Sequence, residues 1–212
     1  MKKTLTILAL AVSASIGFSQ GTVSFYSISS TYSIQTNGTP ANGTTTGKID
    51  TTANDYYFAL LTQAFTGTTP TSSNPLTGGW TFSGALANNS TLLAGGVGNT
   101  ADKSLVVSGW TPGTEAYVEI VGWSASLGTT WAQIQNELAG TWATAGYYGV
   151  SGIGAVTSGG AGTPATLPAP IFSPTGVSSG FLLNGVSAVP EPATVALIGL
   201  GGLGLAMIRR RK

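Results

Sequence analysis

Residues 114–124 read TEAYVEIVGWS, and the alternation within them decides the fold class. Successive side chains of an extended strand point to opposite sides, so Tyr117, Glu119, Val121 and Trp123 share one face. Ala116, Val118, Ile120 and Gly122 share the other. Just upstream, Trp110-Thr111-Pro112-Gly113-Thr114 carries a proline that presets a turn and a glycine that tolerates positive φ. This spacing predicts a hairpin, with strand 104–110 as the antiparallel neighbour of strand 115–124.

Working outward, short apolar runs rich in β-branched and aromatic residues alternate with dense Gly and Pro punctuation. Strands are predicted near 22–28, 32–36, 56–64, 80–83, 104–110, 115–124, 147–154 and 180–183. Together they imply an all-β body, an antiparallel β-sandwich. Asn37-Gly38 and Asn42-Gly43 are turn-prone, but their Thr/Gly-rich setting reads as a loop. One short helix is expected from Thr130, where a capping box Thr-Trp-Ala-Gln precedes Trp131, Ile134 and Leu138 at helical spacing, with Gly140 to terminate it. Residues 159–170, GGAGTPATLPAP, read as an irregular surface excursion. No fixed-period repeat is present, which argues against a solenoid.

Both ends of the chain differ in kind from this body. Met1-Lys2-Lys3, an apolar run from Leu5 to Val12 and small residues thereafter have the order of a secretory signal peptide, residues 1–19. Gly17 and Ser19 fit the small-residue pockets before a cleavage after Ser19, with cleavage after Gln20 as the alternative. At the other end, residues 193–208 carry no charged side chain, and sixteen residues at roughly 1.5 Å each give about 24 Å of helix. That is slightly short of a hydrocarbon core of about 30 Å but workable for a transmembrane helix. Gly199, Gly201, Gly202 and Gly204 suit a membrane span better than a soluble helix, and Gly202 with Ala206 forms a small-xxx-small pair. Arg209, Arg210, Arg211 and Lys212 follow, able to reach the headgroups on the cytoplasmic side. The other reading of this segment, a buried core helix, fits poorly with four terminal cations and no polar face.

Val189-Pro190-Glu191-Pro192, the apolar span and the Arg-Arg-Arg-Lys end together resemble the PEP-CTERM sorting signal of diderm bacteria. The resemblance implies recognition by an exosortase-type transpeptidase at Pro190, Glu191 and Pro192, cleavage near that triplet and delivery to the cell surface or extracellular matrix. It also implies association with exopolysaccharide and biofilm. The body is similar to the Gly/Ser/Thr-rich ectodomains of such proteins from Verrucomicrobia-like bacteria, through Gly21-Thr22-Val23-Ser24-Phe25 and the Pro-Gly-Thr turn. The expected organisation is thus a signal peptide (1–19), an ectodomain (20–186) and a sorting signal (187–212).

Of the eight basic residues, only Lys48 and Lys103 lie between the two ends. Against them stand Asp50, Asp55, Asp102, Glu115, Glu119 and Glu137, so the body carries a net charge of −4. Nucleic acid is therefore excluded as a partner. The chain has no cysteine and no histidine, which removes disulfides, thiol nucleophiles, Ser/His/Asp triads and imidazole zinc sites together. Asp50, Asp55 and Asp102 offer oxygens, but no Asp-x-Asp-x-Asp loop spaces them for calcium, and no metal or cofactor is expected.

Two readings of the body remain beside a non-enzymatic surface protein. Trp80, Trp110, Trp123 and Trp142, with Tyr147 and Tyr148, are candidates for a platform on which sugar rings stack, which would make the chain a carbohydrate-binding adhesin. Trp131 belongs to the same set of five tryptophans, and core packing is the plainer role for all of them. Glu115 and Glu119, four apart on one strand, are the candidates for the acid pair of a glycoside hydrolase. Their plainer role is that of scattered acids on a solvated strand face. Sequons stand at Asn37, Asn42, Asn88 and Asn89.

Overall fold

The computed structural model describes residues 20–37, 47–162 and 164–188. Among the described residues, ten strands and one α-helix run in the order β1 (Gly21–Ser24), β2 (Gln35–Thr36), β3 (Tyr56–Ala64), β4 (Thr81–Asn88), β5 (Leu105–Val107), β6 (Glu115–Ser124), α1 (Trp131–Ala139), β7 (Gly146–Val150), β8 (Gly154–Thr157), β9 (Ala169–Pro170) and β10 (Leu182–Val186). The all-β expectation with one short helix holds. A seven-stranded sheet has the order β2-β10-β7-β6-β3-β4, with β8 also pairing β6, and a three-stranded sheet has the order β5-β1-β9.

The strand read first is the centre of the large sheet. Every residue of β6 after Glu115 is buried, because both faces of this strand are covered. Ala116, Val118 and Ile120 join Phe58, Leu60, Val23, Phe25, Val107 and Ile171 in a core that the two sheets share. Val121 and Trp123 face the opposite way and pack with Ala59 and Leu61 against Trp131 and Ile134 of α1. The helix thus closes the outer face of the large sheet. Its N-terminus has the capping box expected of Thr130-x-x-Gln133: Gln133 N–H donates to Thr130 Oγ1, and Gln133 Oε1 accepts from the Thr130 N–H.

Strands β3 and β6 lie where the sequence places them, paired antiparallel along their whole length from Tyr56↔Ser124 to Ala64↔Ala116. Elsewhere the pairing departs from expectation. The hairpin across 110–114 does not form: β5 pairs with β1 in the small sheet, while β6 belongs to the large one. The local turn is present, with Gly113 at φ 75°, Thr114 N–H bonded to Thr111 O and Trp110 Nε1 donating to Thr114 O at 3.0 Å. Turn chemistry fixes the reversal of the chain but not which sheet receives the next strand. The antiparallel expectation also fails at the edges, where β9 pairs with β1 and β2 with β10 in parallel.

The strands expected over 22–28, 32–36 and 104–110 are shorter, Gly21–Ser24, Gln35–Thr36 and Leu105–Val107, and the one expected over 180–183 runs Leu182–Val186. Three other departures have identifiable reasons. β4 runs to Asn88 rather than ending at Ser83, because a bulge around Gly84, at φ 81°, absorbs a register shift against β3. The expected strand 147–154 is two strands, β7 and β8, which pair with successive parts of β6. Between them, Ser151 Oγ accepts the Ile120 N–H at 2.9 Å, taking over a ladder bond where the backbone turns. Within the expected excursion 159–170, Ala169 and Pro170 pair with β1, so the segment is not wholly irregular.

Candidate functional site

The best-marked functional residues of the sequence, Pro190, Glu191, Pro192 and the basic cluster Arg209, Arg210, Arg211 and Lys212, lie outside the described residues. So do the segments expected to be a signal peptide, 1–19, and a transmembrane helix, 193–208, and the sequon at Asn42. Among the described residues no helix is long and apolar enough to cross a membrane. Asn89, another sequon, is 3% exposed and occupied with backbone groups, so its amide is sealed inside the fold.

The aromatic candidates divide between the two faces of the large sheet. Trp80, Trp123, Trp142 and Tyr148 gather on the helix-covered face, while Trp110 and Tyr147 belong to the core between the sheets. Trp123 is fully buried between Tyr57 and Trp131, each at 6.2 Å between ring centroids. Trp142 and Tyr148 stand 5.5 Å apart and partly exposed, so they are the two candidates that meet at an accessible surface. Trp80 is held by a bond from its Nε1 to Ser72 O at 3.0 Å.

The acid candidates part in the same way. Glu115 is exposed at the start of β6, but Glu119, two strand repeats along the same face, is 0% exposed beside Leu61. Neither carboxyl oxygen of Glu119 has a hydrogen-bond partner. Burial alone pushes its pKa up to about 8, since a charge there would be stripped of water without compensation. The phenol of the half-buried Tyr148 is raised as well, by loss of water first and then by the charge of Glu119. Glu119 is therefore a neutral acid under the helix-covered face at neutral pH. The two acids do not share access to one substrate, as a two-carboxylate hydrolysis requires. Equally, the face that carries Glu119 is not solvated.

Among the clefts that open in the described residues, two lie beside residues of interest. One, of about 540 Å³, is lined by Asp55, Tyr56, Ser124, Tyr147 and Val186. The other, of about 730 Å³, lies where β3 ends and β6 begins, lined by Gln63, Phe65, Trp110, Thr111, Thr114 and Glu115 among others. Phe65 is 43% exposed and rests on Tyr117 at 4.9 Å between centroids. A supported aromatic ring beside hydroxyl, amide and carboxylate groups matches what a sugar presents: an apolar face edged with hydroxyls. Trp110 and Glu115 were legible as candidates, but Phe65 and Gln63 were not, because their sequence positions mark only the end of a strand. No group of three or more acidic, His or Cys side chains gathers to hold a metal among the described residues.

Residues 188–212 match the family model of the PEP-CTERM protein-sorting motif. No match was found among curated proteins, and none among solved structures.

Proposed function

We infer from the PEP-CTERM sorting motif matched at residues 188–212 that the chain is a secreted protein sorted to the cell envelope by an exosortase. We propose that it is a non-enzymatic cell-surface or matrix protein, associated with exopolysaccharide or biofilm. The one observation that carries this reading is the motif match. Under it, residues 193–208 form a transmembrane helix that holds the exported chain, Arg209 to Lys212 stay on the cytoplasmic side, and cleavage near Pro190-Glu191-Pro192 transfers the body onward. The lack of histidine and cysteine supports a non-catalytic body. Mass spectrometry of the mature protein tests the reading. A C-terminus near residue 190 in wild type, and an intact tail in Glu191→Ala, are the expected results; an intact tail in wild-type cells that express an exosortase refutes processing.

The cleft at Phe65 favours a second reading, in which the surface protein is also a carbohydrate-binding adhesin. Phe65 would supply the stacking face, with Glu115, Gln63 and the threonines taking hydroxyls. Phe65→Ala should abolish retention of the protein on its own matrix polysaccharide without lowering Tm by more than a surface substitution does. Equal retention of wild type and variant removes this reading and leaves the first intact.

A further inference from the structure

The cleft of about 730 Å³ is built where β3 ends and β6 begins. The ladder that pairs Gln63 with Tyr117 and Ala64 with Ala116 places Phe65 and Glu115 one step beyond its last pair, at adjoining strand ends. By strand alternation Gln63, Phe65, Glu115 and Tyr117 share one face, and Phe65 leans on the buried Tyr117 ring. A single sugar ring resting on Phe65 can therefore reach Glu115. Gln63 turns its amide oxygen inward, where it has no hydrogen-bond partner, and its amide nitrogen toward Gly79. Gly79 has φ 80°, and a Cβ there would stand 3.2 Å from that nitrogen, so glycine keeps this corner open. Another wall is the turn from Trp110 to Thr114, whose carbonyls are already engaged. Thr111 O accepts from Thr114 Oγ1 at 2.7 Å and from Ser158 Oγ at 2.8 Å; Thr114 O accepts from Trp110 Nε1 and from the Ser158 N–H, both at 3.0 Å.

Charge separates the sugars that such a cleft can hold. Among the described residues that line it, Glu115 is the one charged side chain, and it is exposed. Neither lysine of the body lines the cleft: Lys103 stands over the Tyr26 ring at 4.6 Å, and Lys48 is bridged to Gln35 at the β2 edge. An acidic polysaccharide would bring its carboxylate or sulfate against Glu115 with no cation to offset the repulsion. An amino sugar brings the opposite charge. We propose that this cleft binds a polysaccharide of amino sugars with free, protonated amines, one pyranose face lying on Phe65 and an ammonium group meeting Glu115. The ammonium supplies a charge-assisted donor to an acceptor that the body leaves without a cation, and the Gln63 amide nitrogen donates to a sugar oxygen at the Gly79 corner. The body's net charge of −4 adds a longer-range attraction for a polymer of that sign.

This ligand class rests on the adhesin reading of the cleft and narrows it. Its test is isothermal titration of the full chain, in neutral detergent at pH 6, with hexamers of glucosamine, N-acetylglucosamine, glucose and galacturonate. The glucosamine hexamer is expected to bind about two- to fivefold more tightly than the two neutral hexamers, the gain of a partly exposed charge pair, and galacturonate not to bind. Glu115→Gln, at an exposed position, should bring the glucosamine hexamer down to the affinity of the N-acetylated one and leave the latter unchanged. Phe65→Ala should lose all three. The assignment is overturned if a neutral hexamer or galacturonate binds as tightly as glucosamine, or if Glu115→Gln keeps the preference. It is overturned equally if trilysine competes as well as the glucosamine hexamer does, which would reduce the contact to charge alone. Under any of these results, loss of sugar binding in Phe65→Ala still upholds the adhesin reading; binding of no hexamer, or equal binding by wild type and Phe65→Ala, removes both.

Discussion

Replacing Glu119 with Gln should remove most of the pH dependence of stability between pH 5 and 8.5. The carboxyl is fully buried, and its pKa rises from 4.5 to about 8 on folding. A group that binds its proton more tightly when folded stabilises the fold fully below the unfolded pKa, and that contribution is lost as pH rises toward the folded one. The shift of about 3.5 units corresponds to about 5 kcal/mol at roughly 1.36 kcal/mol per unit. Against a typical domain stability of about 5 to 15 kcal/mol this is large. Urea unfolding followed by tryptophan fluorescence should therefore show a midpoint that falls steadily from pH 5 to 8 and levels above it. Glu119→Gln keeps the shape without the titration, so its midpoint should be nearly flat over the same range; Asp50, whose pKa is also raised, adds a residual slope of the same sign at the acid end. Glu119→Met, which replaces two unpartnered oxygens with apolar atoms, should exceed wild type in stability at pH 8 by about 1 to 3 kcal/mol. A wild-type midpoint that stays level from pH 5 to 8.5, or an equal slope in Glu119→Gln, would refute the reasoning.

Three further outcomes follow from particular contacts. Thr130→Ala removes the side-chain half of the capping box, the Oγ1 that accepts the Gln133 N–H, while the Thr130 N–H to Gln133 Oε1 bond survives, and should cost about 1 kcal/mol, read as a lower Tm with little change in the β-sheet circular dichroism. Trp123→Ala empties the centre of the helix-covered face and should cost about 3 to 5 kcal/mol, measured as a drop in urea midpoint at pH 6. Asn89→Ala leaves the Asp50 and Thr52 carbonyls and the Tyr56 N–H without their partner, costing about 1 to 3 kcal/mol, measured as a drop in Tm.

What the sequence made legible is what depends on neighbours within about ten residues. Strands β3 and β6 and the capped helix each carry a complete local signature, in alternation, in β-branched and aromatic content, or in the Thr130 and Gln133 pairing. The sheet assignment of β5 does not: Leu105 to Val107 would fit beside β6 as well as beside β1, and contacts with the chain's first residues decide between them. The same limit hid the environment of Glu119. Alternation placed it correctly on the face of Val121 and Trp123, but a strand covered on one side and a strand covered on both read alike when the face includes an acid.

The placement of β10 ties the body to its sorting element. β10 is an interior strand, flanked by β2 and β7, and Asn184, Gly185 and Val186 pair with Tyr148, Tyr147 and Gly146. The match to the sorting motif begins at residue 188, two residues after β10 ends at Val186. β2 holds the first part of β10, Leu182 and Leu183, and β7 its last part, Asn184 to Val186, so an enzyme acting near Pro190 to Pro192 has only a few residues between its substrate peptide bond and a strand end tied into the large sheet. Cleavage there would leave every described strand intact. Lengthening the connection with Gly-Ser residues after Ser187 should therefore leave the body's Tm unchanged while speeding conversion to the mature form, and slower or unchanged conversion would show that the folded edge does not restrict the processing enzyme.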